Sequence, residues 1–478
     1  MGKPQKKINK IKQNKKQNTA VLSGVVMLVG GLIKFYAVSE AFMGTSMETW
    51  FNTHLNWNVN IPFIGDILPF ADGMPGSAKL AAIGFMIFGS GCEMAGITVS
   101  RGIVKWFKGR ETALAMGSEM ALARLGVATC MIFSPYFAKL GGEIHVENSV
   151  KFGVVLLCIA LIMFIVYFFM DKKLDSQTGE AEEKDDPFKI SDLGKIFSSL
   201  GFWLVALLCV LYYSAIFPFQ KYAVNMLQCN LTLNPADINS YWGGSTESFP
   251  ISVTIVQYII MLIVAICAFA SNFSKKKGLK FGLMAVAIVA LVVYCYMGYQ
   301  RGTAETIFAV FPLLAVAITP ILGNYVDHKG KAATMLMLGS ILLVVCHLTF
   351  AFILPAFKGN AVGGTIIAYV TILVLGASFS LVPAALWPSV PKLVDEKIIG
   401  SAYAAIFWIQ NIGLGLFPTL IGNVLQKTNP EGTAAHELNY TWALIMLAAL
   451  GIAALLISVY LKAVDKKKGF GLEEPNIK

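Results

Sequence analysis

Apolar runs of about 20 residues alternate with short polar segments along the whole of this 478-residue chain. Within a run the apolar residues are continuous and do not alternate with polar ones, as they would on a core-facing surface. A helix needs about 20 mostly apolar residues to cross roughly 30 Å of hydrocarbon. That criterion predicts twelve spans, at about 20–43, 78–100, 112–137, 149–171, 200–223, 252–272, 279–298, 304–323, 334–356, 362–385, 399–424 and 439–463. The pattern predicts an all-α, polytopic membrane protein.

Composition agrees. The chain is 56% hydrophobic and only 14% charged, against roughly 25% charged in soluble domains. This excludes a soluble enzyme, a disulfide scaffold, a disordered tail protein and a nucleic-acid binder. The net charge of +10 comes from lysines in loops and tails beside apolar spans. Seven of the eight cysteines lie in apolar runs, and Cys229 alone falls in a polar loop. With no C-x-x-C spacing, the thiols read as small buried apolar residues, and no metal or cofactor is implied. The N-terminal segment carries Lys3, Lys6, Lys7, Lys10, Lys12, Lys15 and Lys16. The apolar run behind it is too long for a signal peptide and reads as a retained helix.

Charge placement sets orientation through the positive-inside rule. Segments 44–77 and 222–251 contain, between the spans they join, no arginine or lysine. The opposite gaps hold Arg101, Lys105, Lys108 and Arg110, then Lys172 and Lys173, then Lys275, Lys276, Lys277 and Lys280. Lys329 and Lys331, Lys392 and Lys397, and Lys466 to Lys468 continue the alternation. Both termini are expected in the cytoplasm, and the composition suits a bacterial inner membrane. The sequons Asn230-Leu231-Thr232 and Asn439-Tyr440-Thr441 matter only in a secretory pathway. The acidic run Glu180, Glu182, Glu183, Lys184, Asp185, Asp186 divides the chain. The expected organisation is a basic tail 1–19, a four-span bundle 20–171, a linker 172–199, a second bundle 200–463 and a tail 464–478.

Few ionisable side chains lie deep in the spans, where each costs several kcal/mol unless it meets a cavity or a partner. Lys34 has a stem long enough to snorkel. Glu93 sits about two-thirds along the second span, and Glu119 and Arg124 lie in the third. Five residues turn a helix by about 500°, so Glu119 and Arg124 point to different faces and Glu93 becomes the expected partner of Arg124. The pair has two readings: a salt bridge tying helices together, or two charges facing an aqueous cavity and matching a substrate with cationic and anionic ends. His347 stands alone and reads as a satisfied core histidine.

Between the eighth and ninth spans, residues 323–331 fit G-x-x-x-D-x-x-G-[KR] through Gly323, Asp327, Gly330 and Lys331. The glycines permit a sharp turn, and Asp327 can complement a nearby helix N-terminus. This pattern is similar to the cytoplasmic-loop motif of the major facilitator superfamily. Three further blocks narrow the resemblance: Trp106-Phe107-Lys108-Gly109-Arg110-Glu111 followed by Ala121-Leu122-Ala123-Arg124-Leu125-Gly126; residues 212–219, YYSAIFPF; and Ala385-Leu386-Trp387-Pro388 followed by residues 400–403, GSAY, and Ile409-Gln410-Asn411. In this order, from about Ala20 to Leu461, they resemble the family of "major facilitator superfamily domain-containing protein one", the lysosomal dipeptide uniporters of animals. The resemblance implies two pseudo-symmetric bundles, alternating access and a substrate site near mid-membrane. It implies that Glu93 pairs with a peptide amino terminus and Arg124 with its carboxylate. Tyr212, Tyr213, Trp387, Gln410 and Asn411 are candidates to line the C-terminal half of the cavity, with ordinary helix packing as the alternative.

The chain departs from that family in two places. Its first span aligns with the family's third helix, which leaves the first two without a counterpart; a start assigned too late is the expected reason. Residues 252–298 form an extra hairpin between the family's seventh and eighth helices. The expected function is transport of dipeptides or similar zwitterions, and no enzyme activity is expected. Two alternatives are an organic-anion carrier anchored by Arg124 alone and a non-transporting membrane scaffold or sensor. The expected partners are a small-molecule substrate and membrane lipid, with no nucleic acid; nothing in the chain identifies an accessory subunit.

Overall fold

The structure, a computed structural model, describes residues 3–55, 60–61, 65–66, 74–106, 112–140, 144–178, 190–231, 251–274, 276–394 and 398–475. Phe107 to Glu111 of the tryptophan-led motif and the run Glu180–Asp186 lie outside these residues. The described chain is helical except for loops and one two-residue antiparallel ladder, β1 (Asn60–Ile61) against β2 (Gly65–Asp66).

Among the described residues, eleven helices are long and apolar enough to cross a bilayer. The twelfth expected span, 112–137, is helical over Thr112–Ala138, but its described apolar stretch Leu122–Ala138 is shorter than the rest. Several helices overrun their expected ends, as in Leu200–Asn230, Ala361–Leu393 and Thr441–Lys468. Hydropathy marks the hydrocarbon slab, whereas backbone hydrogen bonding carries a helix on until a cap stops it. Gly469, in the left-handed conformation, ends the last helix and donates its amide to Asp465.

The chain forms two compact units, Met1–Met116 with Ser134–Asp185, and Gly117–Phe133 with Asp186–Lys478. The first contains α1 (Lys3–Val38), α2 (Ser46–Thr53), α3 (Gly76–Trp106), α5 (Val146–Thr178) and the two ends of α4 (Thr112–Ala138). Helix α1 packs along both α3 and α5. Small residues let α1 and α3 approach closely, since a Cβ on Gly30 would strike the backbone of Phe88 and Gly84. The Lys79 ammonium, fully buried, donates to the Phe51 and His54 carbonyls at 2.9 and 3.1 Å and so closes the end of α2. Lys34 lays its ammonium 4.9 Å from the centre of the Phe85 ring. Helix α5 keeps large apolar side chains such as Met163 and Phe169 exposed, which suits contact with lipid.

The second unit continues with α6 (Ile190–Ser198), α7 (Leu200–Asn230), α8 (Ile251–Phe273), α9 (Lys277–Arg301), α10 (Ala304–Phe308) and α11 (Val310–Lys329). Then come α12 (Ala332–Leu348), a π-helical turn Thr349–Ile353, α13 (Leu354–Ala356), α14 (Ala361–Leu393), α15 (Ile399–Thr428) and α16 (Thr441–Lys468). The π turn stands ahead of Pro355, which has no N–H for the ladder. Helix α7 packs on α15 and α16, and α14 on α11 and α12. Phe219, Phe308, Phe311, Phe350 and Phe379 form the fully buried centre, with ring centroids 5.4–6.0 Å apart along the chain of contacts. His347 joins it, its ring 5.1 Å from Phe219 and its Nδ1–H donating to the Leu343 carbonyl at 2.9 Å.

Candidate functional site

Arg124 lies on α4, within the residues that group with the second unit, and is half-buried there. Its guanidinium carbon stands 4.4 Å from the centre of the Phe379 ring and 5.9 Å from that of Phe217. The two rings meet edge to face at 5.7 Å. A guanidinium seated on ring faces is held by cation–π attraction while its N–H groups, which lie in its own plane, stay available. Within its own unit no carboxylate pairs with Arg124 among the described residues.

Tyr213 shares this seat. Its ring stacks on Phe217 at 5.4 Å and meets Phe379 edge-on at 6.3 Å. Trp387 Nε1 donates to the Tyr213 hydroxyl at 3.2 Å, and the Trp387 ring stacks on Phe407 at 4.8 Å. The Tyr403 hydroxyl donates to the Trp387 carbonyl at 2.8 Å, fixing α15 against α14. Sequence reasoning singled out Arg124, Tyr213 and Trp387, and the structure brings them together. It missed Phe217, Phe379 and Phe407, because a phenylalanine in an apolar run carries no signal separating a seat from ordinary packing.

The remaining candidates sit elsewhere in the second unit or outside it. Tyr212 is fully buried, its hydroxyl 2.6 Å from Ser378 Oγ. Ser378 gives its own proton to the Gly339 carbonyl at 2.8 Å, so Tyr212 is the donor to Ser378. Gln410 is buried and accepts from the Cys209 thiol at 3.2 Å, whereas Asn411 beside it is exposed. Glu93 is exposed on α3 of the first unit. That unit also holds an apolar groove of about 490 Å³ between α3 and α5, walled by Thr98, Gly102, Trp106, Met163, Phe164 and Tyr167. Its walls carry almost no polar group and do not suit a charged ligand.

The loop motif has a partner that sequence reasoning did not find. Gly330 has φ +72°, and a Cβ there would collide with the carbonyl of Glu473 and the backbone of Glu474. Lys331 and Ala332 donate their amides to the Glu473 and Leu472 carbonyls at 3.2 and 3.1 Å. The Glu473 carboxylate caps α12, accepting from the Thr334 amide and hydroxyl at 2.8 Å each, with Lys331 and Lys462 at 3.7 and 3.6 Å. Lys392 donates to the Gly471 and Glu474 carbonyls at 2.8 and 3.0 Å. The chain after Gly469 thus folds back over the motif. Gly323 has open space around its Cα, and Asp327 is half-buried on the last turn of α11.

Comparison with known proteins fits this architecture. The family model described as Major Facilitator Superfamily matches residues 63–303. The chain is similar to the lysosomal dipeptide transporter MFSD1 of zebrafish, Danio rerio, with 25% identity over 84% of this chain and 70% of that protein. The protein of the same name from Homo sapiens is 24% identical over 86% of this chain and 70% of its own length. For the Bos taurus protein the figures are 24%, 76% and 62%. A multi-pass, all-helical chain matched by the family model over half its length belongs to the Major Facilitator Superfamily.

Proposed function

We propose that this transporter carries dipeptides or similar small zwitterions, with Arg124 receiving the carboxylate and Glu93 the amino group. The observation that supports this most is the state of Arg124. A cation on a bilayer-crossing helix costs several kcal/mol, and such residues mark substrate or ion paths. Here the guanidinium rests on two ring faces in its unit, and among the described residues no carboxylate of that unit neutralises it. A substrate carboxylate supplies the missing countercharge through paired N–H···O bonds. The relatives' name, dipeptide transporter, favours the same chemistry.

On this reading transport is by alternating access, with ligand binding shifting the population between two arrangements of the protein. The bundles are 20–171 and 200–463, joined by the linker 172–199, with the stretch Gly117–Phe133 that carries Arg124 grouping with the second. Both termini face the cytoplasm, and the membrane is a bacterial inner membrane. Uptake of a labelled dipeptide into vesicles reconstituted with the full chain tests the proposal. Arg124→Ala is expected to abolish uptake while the variant still melts cooperatively; unchanged uptake rejects the carboxylate assignment. N-acetylation of the peptide is expected to suppress uptake at least tenfold through loss of the charge facing Glu93. Equal uptake of acetylated and free peptide makes this an organic-anion carrier instead.

A further inference from the structure

We propose that Tyr213 is a second hydrogen-bond donor to the substrate carboxylate, aimed by Trp387; the inference rests on the dipeptide reading above. An indole N–H can only donate, and that of Trp387 is given to the Tyr213 oxygen at 3.2 Å. The bond occupies a lone pair of the phenol and leaves its own proton without an acceptor among the described residues. Tyr212 differs: its proton goes to Ser378, whose proton goes to Gly339, so that chain is closed within the protein. A hydroxyl that already accepts a hydrogen bond is polarised into a better donor.

Geometry couples this donor to Arg124. Phe217 and Phe379 hold the guanidinium at 5.9 and 4.4 Å, and the same two rings hold the Tyr213 ring at 5.4 and 6.3 Å. Stacking fixes the phenol ring and leaves mainly the O–H torsion to adjust. Two kinds of donor, one charged and one neutral, are therefore anchored on one aromatic platform. A carboxylate offers about four acceptor positions, enough for a paired contact with the guanidinium and a further bond from the phenol. A neutral donor adds affinity without placing a second positive charge in the membrane, where it costs several kcal/mol.

The test compares glycyl-alanine with glycyl-ethylamide, the same molecule without its carboxyl group, in vesicles holding the full chain. Tyr213→Phe keeps the stacked ring and deletes only the hydroxyl. It is expected to raise the KM for glycyl-alanine about five- to tenfold. Inhibition by glycyl-ethylamide is expected to change less than twofold. Trp387→Phe removes the aiming N–H and is expected to raise the same KM about two- to threefold, with the ethylamide again less affected. An equal change for both ligands, or no change for either, overturns the Tyr213 assignment while dipeptide transport stands. A wild-type protein that takes up no dipeptide overturns the transport reading and this inference with it. If Tyr213→Phe fails to fold into vesicles, Trp387→Phe decides on the same ratio.

Discussion

Tyr212 and Tyr213 are separated by one residue step on α7, a rotation of about 100°, and that step decides what each does. Tyr212 turns into the unit and ties α7 to α14 through Ser378. Tyr213 turns onto the aromatic platform that carries Arg124. Tyr212→Phe is expected to destabilise the protein by about 0.6–1.7 kcal/mol, the range for interhelical hydrogen bonds in membrane proteins. A lowered Tm in detergent checks this, and an unchanged Tm shows that the bond contributes nothing net. From the sequence the two tyrosines were equivalent candidates, because a polar tip in an apolar run says only that a partner is needed. His347 was legible as a core histidine but not as a half-satisfied one: its Nδ1–H is spent on Leu343 one helical turn away, and its buried Nε2 has no hydrogen-bond partner among the described residues.

At the scale of elements, the segment after α16 works as a strap across the ends of α11, α12 and α14. Leu472 is fully buried there, its amide on Asp465 Oδ1 at 3.1 Å. Docking buries the Glu473 carboxyl, which by itself raises its pKa; the two bonds from Thr334 and the charges of Lys462 and Lys331 outweigh this and hold it below the usual carboxylate range. A carboxyl whose folded pKa is depressed contributes stability above its unfolded pKa and loses it as pH falls through the folded value. The strap is therefore expected to weaken on acidification below the ordinary value of 4.5. Glu473→Gln is expected to lower Tm at pH 7 and to flatten the decline of Tm with acid; a decline as steep as wild type removes Glu473 from that role. The motif in 323–331 was legible, since glycines and an acid at that spacing are rare in an apolar chain. Its partner was not, because the tail is about 140 residues away in sequence and only the fold carries it back.

At the scale of the molecule, the alternation of basic and lysine-free gaps carries a topology that can be checked directly. Tags fused at the two termini are expected to be accessible from one face of sealed vesicles, and a tag inserted between 232 and 250 from the other. Termini on opposite faces would remove one crossing. Helix α4 (Thr112–Ala138), which carries Glu119 and Arg124, is the crossing on which that test bears most directly.

The order of apolar runs and charged gaps was enough to establish an all-helical, multi-pass protein, because a bilayer imposes a fixed length and forbids unpaired backbone in its core. The same reading isolated Arg124, since a charge in hydrocarbon is costly enough to stand out. Tertiary structure decided what surrounds that charge. Phe217 and Phe379 are ordinary apolar residues by composition, and only the packing of α4, α7 and α14 sets both rings against one guanidinium and the Tyr213 ring against the same pair. Hydropathy counts what a residue costs to bury; it carries no information about which neighbour it is buried against.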